Sequence, residues 1–378
     1  MRVWRFERNH LSDLRLLSGM LLPILAGVAI FGWRALGVLG LVIAGAHVAR
    51  YFLNRLRTWN ATLGGLTLST RAALVTMFLP ATLFDVDQTA FTRSAAWPLA
   101  IGIGIVLAIL SWALGRWGTV RFSPVVITAL LAMIVVGGLG ANARVLQRDH
   151  VFRGDLFDAR FANRSPSTAE PWLSAPPLRS TVVLLTNPAA EQLEDFLDRR
   201  YAADRRPMTI PRLIGDNLPP MEDLVIGGHP APIGCASVLA IIVGGLLLVY
   251  RRMAAFRVPA LMVLATLATL LIAPVPVLIS PEETAYRWLG GQDPRVGWAA
   301  GITFANYLLI ASPVLLVTLF LACQPSIRPH SLRASCVYAL LFGIAAGLSI
   351  LLVSVGCGPL VALMAVQFVA PTLQRRLG

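Results

Sequence analysis

The chain contains no lysine, and only 13% of its 378 residues are charged. A soluble domain carries about 25% charged residues, so this composition excludes an ordinary water-soluble protein. Hydrophobic residues make up 56% of the sequence, and the mean hydropathy is +0.71. These values are typical of a polytopic membrane protein, in which runs of about 18 or more apolar residues cross the bilayer as helices.

Cysteine is also scarce, and its spacing excludes the common metal sites. Zinc and iron–sulfur motifs need closely spaced pairs of cysteines or a cysteine–histidine cluster. The chain has no CxxC pair, its histidines are scattered, and its four cysteines lie far apart, at Cys235, Cys323, Cys336 and Cys357. We therefore predict no metal site and interpret the cysteines as small buried residues in helix packing. No residue pattern indicates a catalytic group.

The positive charge does not indicate a nucleic-acid partner. Arginine exceeds the acidic residues, which gives a net charge of +13. Nucleic-acid-binding proteins collect such charge on one face, often with interleaved aromatic residues. Here the arginines stand at the ends of apolar runs, where membrane proteins commonly carry them. We predict membrane lipid as a partner, and no nucleic acid.

Ten apolar runs of membrane-spanning length fall into two groups of five. They cover 14–33, 35–54, 67–84, 96–115, 121–140, 232–250, 258–279, 299–322, 332–353 and 357–372. The polar segment 141–231 separates the groups and is too long for a simple connection between helices. We therefore predict a first five-helix membrane half over 1–140, an insert over 141–231 and a second five-helix half over 232–378.

Arginines in the short loops predict the orientation of these helices. Short loops that are rich in arginine stay in the cytoplasm. One side of the predicted topology collects most of them, from Arg2, Arg5, Arg8, Arg15, Arg50, Arg55, Arg57 and Arg71 to Arg116, Arg121, Arg251, Arg252, Arg257, Arg328, Arg333, Arg375 and Arg376. This predicts a bacterial inner-membrane protein with both termini cytoplasmic and the insert periplasmic. The first run lacks a small-residue cleavage site, so we expect it to be retained.

Because five is odd, the two halves cross the membrane in opposite directions, as in inverted-repeat membrane proteins. The predicted fold class is an all-α polytopic membrane protein, with about ten transmembrane helices as two inverted five-helix halves and a small extracytoplasmic α/β insert. In the insert, 179–186 is predicted to form a strand and 187–201 a helix that begins at Asn187-Pro188.

Proline interrupts several runs and suggests where a site would lie. In inverted-repeat folds, broken helices meet near the midplane and form the binding site. The candidates are the starts of the fifth, sixth and tenth runs, at Arg121-Phe-Ser-Pro124, Pro232-Ile-Gly234 and Gly356-Cys-Gly-Pro359. The alternative is that proline is simply well tolerated in a first helical turn. In the eighth run, Ser312-Pro313 predicts a kink or break.

Several motifs resemble one membrane family in the same order along the chain. The segment Asp223-Leu-Val-Ile-Gly-Gly-His-Pro-Ala-Pro-Ile-Gly234, with the apolar residues that follow, is similar to the family pattern G-x-x-P-G-S-I-G-E-T-S. The other matches are Leu79-Pro-Ala-Thr-Leu83, Gly118-Thr-Val-Arg-Phe-Ser-Pro124, Phe320-Leu-Ala-Cys-Gln-Pro325 and Val369-Ala-Pro371. Together they resemble the large membrane subunit of Rnf and Na+-translocating NADH:quinone reductase complexes (RnfD and NqrB).

The resemblance has departures at polar positions. Cys235 stands where the family has Glu, and Gln324 stands where it has Asp. Val120 and Ser123 replace two Asn residues. Ionisable groups within membranes are costly and usually functional, so these changes predict a divergent relative that has lost some ion- or cofactor-handling groups.

The resemblance also implies a flavin. In the family, a Thr between the fifth and sixth helices carries FMN through a phosphoester bond. Thr168 and Thr186 are the candidates in this sequence, although neither lies in the family's S-G-A-T-P-L pattern. Glu170 falls at the acceptor position of one alignment, but a carboxylate cannot form a stable phosphoester. The alternative is that both threonines are ordinary turn or cap residues.

Three functions follow as expectations. The first is a membrane subunit of an Rnf- or Nqr-like redox-driven ion-translocating electron transport complex, a translocase flavoprotein with FMN as its candidate cofactor. The second is a structural or scaffold paralogue in a larger membrane complex, and the third is a non-redox inverted-repeat channel or transporter. The chain has no glycine-rich nucleotide-binding motif between a strand and a helix, so NADH oxidation is expected on another subunit.

Overall fold

The computed structural model describes residues 2–55, 65–84, 90–117, 123–138, 221–227, 231–280, 283–288, 297–353 and 355–377. Within them each of the ten predicted runs contains a helix, which confirms a mostly helical protein. The first five helices are α1 (Arg2–Phe31), α2 (Trp33–Arg55), α3 (Gly65–Thr76), α4 (Ala90–Trp117) and α5 (Pro124–Gly138). The second five are α6 (Val238–Tyr250), α7 (Arg257–Ile272), α8 (Gly297–Ala311), α9 (Leu332–Leu352) and α10 (Gly358–Leu377).

Short helical segments complete the described chain. A 3-10 turn covers Ala81–Phe84, one helical turn covers Met221–Ile226, and a second 3-10 turn covers Ile233–Cys235. Beyond α8 the chain continues as Val314–Leu316 and a π-helix over Val317–Ala322. The strand and helix predicted within the insert lie outside the described residues.

In the described part of the chain, four helices are long and apolar enough to cross a membrane, by length and composition. They are Ser12–Phe31, Trp33–Arg55, Trp97–Leu114 and Leu332–Leu352. A fifth span results if Gly301–Ala311 and Val314–Ala322 count together. The chain is thus a multi-pass membrane protein, whereas ten crossings and two inverted halves stay predictions.

The segment after α7 differs from the prediction of an all-α membrane part. The apolar run 258–279 predicted a helix, but α7 ends at Ile272. Strand β1 (Pro274–Ser280) then pairs antiparallel with β2 (Glu283–Trp288). Pro274 and Pro276 explain the difference, because proline lacks the N–H that a helix interior needs and its ring clashes with the preceding turn.

Glycines bring one helix pair of the first half into backbone contact. A Cβ added at Gly45 of α2 would overlap the Ile101 carbonyl, and one at Gly104 of α4 would overlap the Val42 carbonyl. Small residues at such crossings let two helices pack closely without a hydrophobic driving force from water. The pair α2–α4 therefore makes one of the most extensive contacts in the described part of the chain.

The second half contains an equivalent pair. Gly343 of α9 lies against Met262, Ala265 and Thr266 of α7, and Gly347 of α9 lies against Thr266 and Thr269. The second and fourth helices of each group of five thus pack together through glycine.

Two other contacts join the groups. Gly19 of α1 lies against Leu248 and Gly244 of α6, and α5 packs against α10.

Candidate functional site

The backbone is irregular where α3 is interrupted. Helix α3 ends at Thr76, well before the end of its apolar run. The carbonyl of Met77 accepts a hydrogen bond from the Gly234 amide at 2.9 Å, and the carbonyl of Leu79 accepts one from the Ile233 amide at 2.9 Å. We call Met77–Pro80 together with Ala231–Ser237 the junction. It joins the third and sixth apolar runs through main-chain bonds.

Local sequence explains both arms of the junction. Pro80 cannot donate a hydrogen bond to continue α3. Pro232 adopts φ −58° and ψ 154°, an extended conformation that delivers the chain into the 3-10 turn. The Ser237 hydroxyl then caps α6, because it accepts from the Ala240 amide at 3.4 Å while it donates to the Val225 carbonyl at 3.0 Å.

The side chains of the junction are apolar except for Cys235 and Ser237. Cys235 is only 6% exposed, and its thiol is free. It stands at the position where the resembling family carries Glu. The junction therefore holds a neutral thiol in apolar surroundings at that position. His229, in the same sequence motif, lies outside the described residues.

Helix α8 is interrupted as well, and this confirms the kink predicted from Ser312-Pro313. The arms Gly301–Ala311 and Val314–Ala322 meet at 58°. The second arm includes the π-helix Val317–Ala322, an element found frequently at functional sites. The third helix is therefore interrupted in both groups of five, as α3 in the first and α8 in the second.

The end of the second α8 arm holds another position at which the sequence departs from the family. Gln324 is half-buried there, and its side-chain amide donates to the Phe320 carbonyl at 2.7 Å. Tyr338 of α9 is buried beside this end, with its hydroxyl 3.4 Å from the Ala322 carbonyl. Gln324 thus provides a hydrogen-bond donor for a carbonyl at the end of its own helix.

Helices α5 and α10 begin in the same way. The Ser123 carbonyl accepts from the amides of Val126 and Ile127 at 3.1 and 3.4 Å. The Cys357 carbonyl likewise accepts from the amides of Leu360 and Val361 at 3.0 and 3.1 Å. Proline occupies the first turn of each helix, as Pro124 and Pro359. This position fits both interpretations of the prolines that the sequence left open.

A buried amide that sequence reasoning missed lies at the start of α5. Gln367, in the middle of α10, is 2% exposed, and its Oε1 accepts from the Ser123 amide at 3.3 Å. Its Nε2 has no hydrogen-bond partner among the described residues. The only sequence signal was a single uncharged polar residue inside an apolar run.

Polar side chains also connect the ends of α1, α2 and α3. Thr67 donates to the Asp13 carboxylate at 2.6 Å, and His47 Nε2 lies 2.9 Å from the Ser69 hydroxyl. Asp13 also interacts electrostatically with Arg71. This cluster fixes three helices at the end where the sequence places the arginine-rich loops.

The sequence-predicted cysteines do not come together as one site. Among the described residues, no group of three or more His, Cys, Asp or Glu side chains could hold a metal ion. The flavin candidates Thr168 and Thr186 lie outside the described residues.

Comparison with known families matches this architecture to one of them. The match is to the family described as NQR2, RnfD, RnfE, and it covers residues 13–377. Comparison with curated proteins found no significant match. Because the family match includes both helical groups, the junction and both interrupted helices, the chain belongs to the NQR2, RnfD, RnfE family and is a membrane subunit of the Rnf/Nqr type.

Proposed function

We propose that this subunit works in a redox-driven ion-translocating electron transport complex of a bacterial inner membrane. The observation that carries the proposal is the family match over residues 13–377, nearly the whole chain. Electron donors and acceptors are expected on partner subunits, against which the apolar outer faces of the helices pack. Both termini are proposed to be cytoplasmic, with the 141–231 insert periplasmic.

Three paired features support two inverted five-helix halves. The third helix of each group, α3 or α8, is interrupted. The second and fourth helices cross through glycine in each group. The fifth helices, α5 and α10, begin with the same hydrogen-bond pattern. An internal inverted repeat produces such pairing, because its two halves have the same order of helices and fold in the same way.

We further propose Thr168 and Thr186 as the candidate attachment points for FMN. A threonine hydroxyl can form a phosphoester, and both residues belong to the proposed periplasmic insert. The flavin, when bound, would supply the electron-transfer chemistry. The chain's own contribution would be a threonine hydroxyl in the insert that separates the two halves of the sequence.

One purification tests the proposal. An affinity-tagged chain is isolated in mild detergent from its native membrane, its associated subunits are identified by mass spectrometry, and the denatured band is inspected for ultraviolet fluorescence. We expect membrane partner subunits to co-purify and the fluorescence to disappear in either Thr168→Val or Thr186→Val. The matched control is Thr181→Val, another threonine of the insert, which should keep the fluorescence.

A second candidate function is a structural subunit without covalent flavin. The observation that favours it is the buried, neutral Cys235 at the junction, where the resembling family carries Glu. Co-purification of partner subunits with a non-fluorescent wild-type band would favour this candidate. Isolation of the chain without any membrane partner would contradict both functions.

A further inference from the structure

We infer that Gln367 and Thr318 form a site, deep within the helical bundle, for a small uncharged hydrogen-bond acceptor such as a water molecule. The inference rests on one part of the proposed function, the division into two five-helix halves, because the site would lie where these halves meet. Gln367 belongs to α10 and Thr318 to the second arm of α8, whereas Ser123 begins α5. It is separate from the junction and from the flavin candidates.

The Ser123 amide fixes the orientation of the Gln367 side chain. A backbone N–H can only donate, so the atom facing it at 3.3 Å must be the amide oxygen, Oε1. Nε2 therefore points away from Ser123 with two N–H donors. No acceptor among the described residues satisfies them. A polar group that is 98% buried carries a desolvation cost unless it finds a partner.

The position of Gln367 makes an external acceptor the natural partner. It lies about 14 Å from the start of α10 and about 15 Å from its end, at 1.5 Å per residue, and it is only 2% exposed. The Ser123 amide, at the start of α5, bonds Gln367, so the positive end of the α5 helix dipole lies next to this side chain. N–H donors and a positive helix end disfavour a cation, and they favour an oxygen that accepts.

Thr318 supplies the second observation. Its hydroxyl is fully buried and, like Gln367 Nε2, has no partner among the described residues. It lies on the π-helix, and this π-helix packs against α10. A hydroxyl can both donate and accept, so it suits a water molecule, which typically makes about three hydrogen bonds when buried. The two otherwise unsatisfied side chains would then be satisfied by one shared ligand.

The test is a double-mutant cycle on the full-length protein in detergent, with apparent Tm as the readout. We expect Gln367→Leu and Thr318→Val each to lower Tm by about 2–5 °C. The double variant should lose little more than the worse single variant, because both changes remove the same ligand. Gln367→Met, which keeps the side-chain length, provides a second variant if the leucine protein does not fold. The control is Thr128→Val, since the buried Thr128 hydroxyl already bonds the Pro124 carbonyl at 2.7 Å.

Three results would overturn the inference. A raised or unchanged Tm in Gln367→Met and Thr318→Val would show that the donors hold no ligand. Additive losses would show that the two side chains do not share one. If the Tm of the wild type rises when sodium chloride replaces sodium gluconate while that of Gln367→Met does not, this result would identify an anion instead of a neutral acceptor. Co-purification of partner subunits, measured on the same samples, reports separately on the proposed function.

Discussion

Gly104→Val is expected to prevent stable folding of the first half. A Cβ at this position would overlap the Val42 carbonyl and lie 2.8 Å from the Ala46 nitrogen. These are backbone atoms of α2, which cannot rotate away as a side chain can. The helices would have to separate, at a cost of about 3 kcal/mol, a large part of a typical folding free energy. The measurement is the monodisperse fraction and apparent Tm in detergent.

Gly102→Val is the matched control, on the same helix two residues earlier. Apart from the neighbouring backbone of its own helix, no described atom lies within 4 Å of a Cβ built there. We expect this variant to stay within about 0.5 kcal/mol of the wild type. Equal losses in the two variants would show that α2 and α4 do not cross at Gly104.

Gly234→Val is expected to disrupt the junction. Its Cβ would lie 2.8 Å from Met77 Cγ and 3.0 Å from Met77 Cα. The two segments of the junction would move apart, and the buried carbonyls of Met77 and Leu79 would lose their hydrogen-bond donors. An unsatisfied buried polar group costs about 1–3 kcal/mol, so two of them approach the effect of Gly104→Val. Thermal unfolding in detergent measures the loss.

Gly40→Val serves as the control for this second variant. A Cβ at Gly40 has open space, and the residue is exposed on α2. We expect a wild-type Tm for it. A wild-type Tm for Gly234→Val as well would contradict the hydrogen-bonded contact between the third and sixth apolar runs.

Sequence reasoning located the helices because an apolar run of membrane length has few other solutions in lipid. It also located the bend in α8, since Ser312-Pro313 is a strong local signal. It did not locate the end of α3 at Thr76, because Met77, Phe78 and Leu79 continue the apolar pattern. The apolar residues there are buried, and the helix can end among them because the amides of Ile233 and Gly234 donate hydrogen bonds to the Leu79 and Met77 carbonyls.

Two other features depended on tertiary context. Most of β1 lies in the run 258–279, which was predicted as helix, although Pro274 and Pro276 were a readable signal against it. Gln367 was overlooked because a single glutamine in an apolar helix has no periodic or motif signature. Its importance comes from Ser123, 244 residues earlier in the chain. The flavin candidates Thr168 and Thr186 and the strand and helix of the insert stay predictions.

Side-specific cysteine labelling tests the two inverted halves most directly. In a background without the four native cysteines, single cysteines replace Trp33 and Val353, which are 60% and 45% exposed, the insert residue Thr168, and the exposed Arg251. We expect a membrane-impermeant maleimide to label positions 33, 168 and 353 in intact spheroplasts, and position 251 only after permeabilisation. Labelling of positions 168 and 251 from the same side would contradict two five-helix halves that cross the membrane in opposite directions.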